Sequence, residues 1–155
     1  VTWDDNLYPY ELLYLTGRKG LSLNTHQFSM LSQHLKMGGT LLVDAPSEAT
    51  ELIQSIQSLA QTLQTPLKSL KESRRDHPLR IKPFLFSALP MVDKTRLQLL
   101  SGGGIILSIG NLAASWGLDE EMMRSRPEVR TAQELGVNIL HFAWKRRQML
   151  DLQSV

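Results

Sequence analysis

Cysteine is absent from all 155 residues. That absence removes disulfides, thiolate metal ligands and cysteine nucleophiles together, and it leaves both reducing and oxidising compartments open. Long apolar runs are missing too: no window approaches the roughly 20 consecutive apolar residues that a membrane span needs. The opening VTWDDN has no basic stretch followed by an apolar one, as a secretory leader would. The expectation is a soluble segment. Charge of one sign is scarce: 17 Lys and Arg against 15 Asp and Glu leave a formal +2, which gives nucleic-acid binding little global support. No H-x-x-x-H or H-E-x-x-H spacing occurs, and no G-x-S-x-G elbow, so a zinc site, a cofactor and a hydrolase nucleophile of that type are not expected.

What is present reads as one domain. With 42% of residues hydrophobic, a chain of this length can bury a substantial core but is too short for two comfortable domains. Opening on Val1, it reads as the C-terminal part of a longer protein, with a cytoplasmic setting as the expectation.

ELLYLT, residues 11–16, is a short apolar run that predicts a buried strand ending at Gly17. Asn24 with Gln27 forms a capping box, and Phe28, Leu31 and Leu35 follow at helical spacing until Gly38 and Gly39. TLLVDA, 40–45, predicts a second buried strand. From Glu48 a helix carries Leu52, Ile53, Ile56, Leu59, Ala60 and Leu63 on one side. Strand, helix, strand, helix with short connections predicts an α/β fold: a three-layer sandwich with a mostly parallel sheet flanked by helices.

The middle is less regular. TPLKSL predicts a third strand, KESRRDHPLRIK a charged surface loop, and PFLFSAL a further apolar element. RLQLL and IILSI flank SGGG and predict a β-hairpin near 96–109 with a four-residue turn. NLAASWG predicts a short helical turn. From Pro127 a last helix carries Ala132, Leu135, Ile139, Phe142 and Ala143 on one stripe and ends in a basic tip, Lys145 to Arg147.

Candidate site residues follow from position. Ligands of open parallel sheets bind beyond the carboxyl ends of the strands, which is where Gly17, Arg18 and Lys19 stand and where Asp44 ends the second strand. A glycine-bracketed basic loop suits an anion, although GRKG lacks the spacing of a Walker loop. Asp44 suits a metal, a ribose or a substrate hydroxyl, or else a turn. Asn111 and Trp116 reach the same rim if the hairpin's second strand is parallel to the first two. His26 and His34 are expected to be exposed. The 68–82 segment holds six Lys or Arg against two acids, enough to dock an acidic partner or phosphate backbone, yet no interleaved aromatics favour base stacking.

The order YPYELLYLTG, SLNTHQFSMLSQHLKMGGTLLVDA, DHPL, SIGNLAASWG, ELGVNILHFA resembles an uncharacterised bacterial domain-of-unknown-function family, with a fold similar to the flavodoxin-like class I glutamine amidotransferase superfamily. The resemblance spans about Tyr8 to Trp144. It carries over Gly17, Asp44, Asp76, His77, Asn111 and Trp116. It also implies a His after the Thr-Gly and a second Asp after the second strand, where this chain has Arg18 and Ala45. The amidotransferase reaction needs a cysteine nucleophile, which this chain lacks. The expectation is therefore a binding or assembly domain without catalysis, its partner a protein or another domain of the same chain. One alternative is a hydrolase or lyase using Asp44 with His77; another is an anion or nucleic-acid binder through Arg18, Lys19 and the 68–82 loop.

Overall fold

The computed structural model describes residues 2–71, 75–117 and 124–153. A five-stranded sheet runs through the middle. Its strands are β1 (Leu12–Thr16), β2 (Thr40–Ala45), β3 (Lys68–Ser69), β6 (Gln98–Gly102) and β7 (Ile105–Ile109), in the order β1-β2-β7-β6-β3. A separate two-stranded ribbon pairs β4 (Met91–Val92) with β5 (Thr95–Arg96). The helices are α1 (Thr25–Lys36), α2 (Thr50–Thr62), α3 (Pro78–Ile81) and α4 (Arg126–Gln153), with one 3-10 turn at Ala113–Ser115.

The α/β class is as expected, but the sheet is mixed rather than mostly parallel. β1–β2 and β2–β7 are parallel, while β7–β6 and β6–β3 are antiparallel. The cause is the tightness of the hairpin turn. Only Gly103 and Gly104, at φ +58° and +85°, lie outside the strands. A two-residue turn with positive φ at both positions matches the twist of the flanking strands and reverses the chain at once. Ser101 and Gly102 are strand residues, so the turn is two residues rather than four. TPLKSL does add a strand, though only two residues of it, antiparallel at the edge (Lys68↔Ser101, Ser69↔Leu100).

Each inner strand is apolar on both faces. Leu42, Leu99 and Ile106 meet Ala132, Leu135 and Ile139 of α4 and Leu79 of α3. Leu41, Val43, Ile105 and Leu107 meet Leu31 and Leu35 of α1 and Leu52, Ile56 and Leu59 of α2. The Asn24–Gln27 capping box opens α1 as expected.

Three readings of the sequence are corrected. PFLFSAL forms no regular element: it threads Phe86 and Leu89 into the core as loop. The charged segment KESRRDHPLRIK exposes Lys71, Arg75, Asp76 and Lys82 but is not all loop, since α3 lies within it and buries Leu79; its residues 72–74 lie outside the described residues. The basic stretch of the last helix is no exposed tip. Arg147 is buried and Arg146 half-buried, both bonding main-chain carbonyls, and the helix runs on to Gln153.

Candidate functional site

Because β1, β2 and β7 are parallel, their carboxyl ends meet on one rim, and register sets which side chains share a face there. Thr16 pairs with Asp44 and Asp44 with Ser108, so all three project on the face that α4 covers. Beyond β7 the chain turns sharply at Gly110 (φ +128°) and Asn111 (φ +58°). Asn111 is exposed and in the left-handed region that Asn tolerates better than most residues. This turn brings the main chain back over the end of β2.

Asp44, 4% exposed, is met there. Its Oδ1 accepts from the Leu112 amide at 3.0 Å, and its Oδ2 accepts from the Ala113 amide at 2.9 Å and from the Tyr14 hydroxyl at 3.3 Å. Thr16 donates its hydroxyl to the Asp44 carbonyl at 2.9 Å. Leu112 flanks the 3-10 turn and its own side chain caps nothing, so a carboxylate from another strand supplies the acceptor that helix starts need. Burial, and then the adjacent Asp44 charge, push the Tyr14 phenol above its usual value, keeping it a protonated donor. Ser108 and Ser115 are fully buried, and their hydroxyls have no hydrogen-bond partner among the described residues. No imidazole hydrogen-bonds either one among the described residues.

The other expected residues divide between this rim and elsewhere. Gly17 follows β1 at φ +155° with open space where a side chain would start. Arg18 pairs with Glu48 at 2.8 Å, both side chains more than half exposed, a screened contact of small value. Trp116 donates its indole N–H to the Ala132 carbonyl at 3.0 Å and packs against Gly136. With Leu12, Tyr14, Leu42, Val137 and Leu140 it lines an almost wholly apolar cleft of about 410 Å³ between β1 and α4.

His77 is engaged apart from these. Its Nδ1 accepts from the Leu79 amide at 3.2 Å, capping α3, and its ring stacks on Phe142 at 6.2 Å. Burial lowers its pKa, with Asp76 opposing and Arg80 assisting. Asp44 and His77 share no hydrogen-bond partner, and Asp76 is exposed.

Of the expected-exposed histidines, His26 is exposed, but His34 is 4% exposed. Its ring lies against Gly39, whose missing side chain makes the room. A histidine on a helix has no sequence mark that tells a glycine-made slot from solvent. Tyr14 and Asn138 were not singled out as site residues either. Tyr14 carries a usable signal, its place two residues before Thr16 on one strand, which puts both on one face. Among the described residues no cluster of His, Asp and Glu could hold a metal, and no helix is long and apolar enough to cross a membrane.

The rim therefore offers a satisfied carboxylate, a phenol donor and an apolar cleft beside an edge strand. This arrangement can seat an apolar group beside a hydrogen-bonded phenol. No curated protein matches the chain. The family model described as "Domain of unknown function (DUF4159)" matches residues 2–144, and the chain belongs to that family.

Proposed function

We propose that this domain is an assembly module without chemistry of its own, which joins a second copy of the chain edge to edge through β1. The observation that carries the reading is an unpaired strand edge with an apolar flank on one face. β1 pairs with β2 and with no other described strand. Beside it Tyr14 is 47% exposed, and Val137, Leu140 and Trp144 of α4 are 43%, 57% and 44% exposed. Soluble proteins blunt such edges with Pro, Lys or bulges, none of which interrupts LLYLT.

A two-fold axis normal to the sheet runs the two β1 strands antiparallel. It brings Glu11, before the start of one strand, toward Arg18 and Lys19, beyond the end of the other, and does so twice. It also sets the two Tyr14, Val137, Leu140 and Trp144 patches side by side on one face. That self-complementarity favours a second copy over an unrelated segment. The parallel trio β1, β2 and β7, with an apolar core on each face, supports reading the scaffold as the three-layer, class I glutamine amidotransferase-like fold of a bacterial family. With no cysteine, the chain lacks the nucleophile of that superfamily's amide chemistry.

Sedimentation equilibrium tests the reading. The chain is expected to dimerise, and Glu11→Lys or Lys19→Glu to weaken the dimer. The two variants mixed are expected to form a heterodimer, because each then meets its opposite charge. A monomer at the highest soluble concentration, or a dimer indifferent to both reversals, overturns it.

A further inference from the structure

The far half of α4 carries a feature with no part in the β1 edge. Phe142, Lys145, Arg146, Met149 and Leu150 fall at i, i+3, i+4, i+7 and i+8 and so share one helix face. With Pro78, Lys82 and His141 they line a cleft of about 460 Å³ between α4 and the end of α3. Its floor is the Phe142 ring, stacked from behind by His77, together with Met149 and Leu150.

Arg146 is held in place by three main-chain carbonyls from two segments, the exit of α1 and the β6–β7 turn. Its Nε donates to the Gly39 carbonyl at 3.2 Å, and its Nη2 donates to the carbonyls of Leu35 at 2.8 Å and Gly103 at 3.4 Å. The remaining nitrogen, Nη1, is in no hydrogen bond among the described residues. None of the three partners is a carboxylate. Among the described ion pairs none involves Arg146, Lys145 or Lys82, and neither Asp76 nor Asp151 lines the cleft. A half-buried guanidinium without a counter-ion is electrostatically incomplete: burial alone lowers its pKa. Carbonyls fix its plane, so the free edge of the fork is aimed before any ligand arrives.

We propose that this cleft binds a small anion with an apolar body: a carboxylate or phosphate head on Arg146 Nη1, Lys145 and Lys82, with an acyl or aryl portion along Phe142, Met149 and Leu150. The volume is in the range of small-molecule sites, whose lining is typically apolar with a few placed polar groups. The apolar floor sets it apart from a nucleic-acid groove, which would offer cations and stacking rings along a track. The concavity sets it apart from a flat bilayer surface, although a lipid could present the same head chemistry.

Calorimetric titration with decanoate and with decyl phosphate, both as monomers below micelle formation, is expected to give saturable one-to-one binding. Decyltrimethylammonium is expected to give none. Because Arg146 also supports the fold, the diagnostic variants are at the exposed positions: Lys82→Gln with Lys145→Gln is expected to weaken binding about tenfold or more, the scale of hydrogen bonds to charged groups. Met149→Asp is expected to abolish it by placing a carboxylate on the floor. Equal binding of the cationic amphiphile, or full affinity in the double lysine variant, overturns the site. So does binding only to vesicles containing phosphatidylserine and not to free decyl phosphate, which assigns the charge to a membrane surface. The β1 charge reversals leave this titration unchanged, so the two readings stand or fall separately.

Discussion

Replacing Asp44 by Ala asks whether the most suggestive carboxylate of the chain is a functional group or a structural acceptor. Its oxygens receive the Leu112 and Ala113 amides at 3.0 and 2.9 Å and the Tyr14 hydroxyl at 3.3 Å. Leu112 is fully buried while Ala113 is partly accessible, so water can replace the acceptor for the second amide but not readily for the first. Stranding a buried donor costs about 1–3 kcal/mol and losing a part-exposed hydrogen bond about 1 kcal/mol, giving about 2–4 kcal/mol for Asp44→Ala. For a chain of this size about 3 kcal/mol lowers Tm by roughly 6–12 °C. Asp44→Asn keeps one acceptor but turns an amide N–H₂ toward an amide N–H, so it falls between wild type and Ala. Urea unfolding followed by circular dichroism reads both, with the m-value unchanged. A loss below about 0.5 kcal/mol for Asp44→Ala, the level of an ordinary surface substitution, refutes the structural account and returns Asp44 to the functional candidates.

Asn138→Ala is expected to cost about 2–4 kcal/mol, because this buried side chain donates to the Leu79 and Phe84 carbonyls at 2.9 and 2.8 Å and accepts from the Phe84 amide at 2.9 Å; hydrogen exchange should speed first at Phe84. Gly102→Ala is expected to destabilise by about 1–3 kcal/mol in urea unfolding, since a Cβ there meets the Pro66 and Thr65 carbonyl oxygens at 2.6 and 2.8 Å, and neither can swing aside. His34 is held below its ordinary value of 6.5 by burial, then by Arg147, with a smaller push from Arg146. The unfolded chain takes up the proton first, so stability is full above about pH 6.5 and falls as pH drops toward the lowered folded value, by up to about 1.4 kcal/mol per pH unit. Burial lowers His77 in the same direction, so His34→Gln should reduce the slope between pH 6.5 and 5 rather than remove it; an unchanged slope refutes the assignment.

Much of the scaffold was legible because local signals and tertiary packing agree there. The capping box at Asn24, the apolar run through Val43 and the stripe from Ala132 to Ala143 each state one element unambiguously. What was not legible depends on contacts between distant segments. The direction of β3 follows from what β6 offers it, not from TPLKSL. The burial of His34 follows from Gly39, and the inward turn of Arg146 and Arg147 from main-chain carbonyls 43 to 139 residues away in the chain. Gly17 follows β1, Asp44 closes β2 and Asn111 follows β7, so their shared rim could be read from strand order once the strands were known to be parallel. The chemistry at Asp44 could not be read in advance: the sequence shows a carboxylate at a strand end but not the two amides that return to occupy it.

The inward arginines bear on how assembly through β1 would work. Arg147 donates to the carbonyls of Tyr8 and Tyr10 at 2.9 and 3.0 Å and lies over the Tyr8 ring at 4.7 Å. Those carbonyls stand immediately before β1, so the entry to the edge strand is tied to α4 by a buried cation. The exit is tied to β2 through Thr16 and the Asp44 carbonyl. An edge strand anchored at both ends is ordered before a partner arrives, and ordering entropy is then not charged against association. It follows that the Glu11→Lys chain should remain fully folded as a monomer, with the urea midpoint of the wild type measured at dilution. A variant that loses its dimer and its fold together would show that β1 is completed by the partner instead.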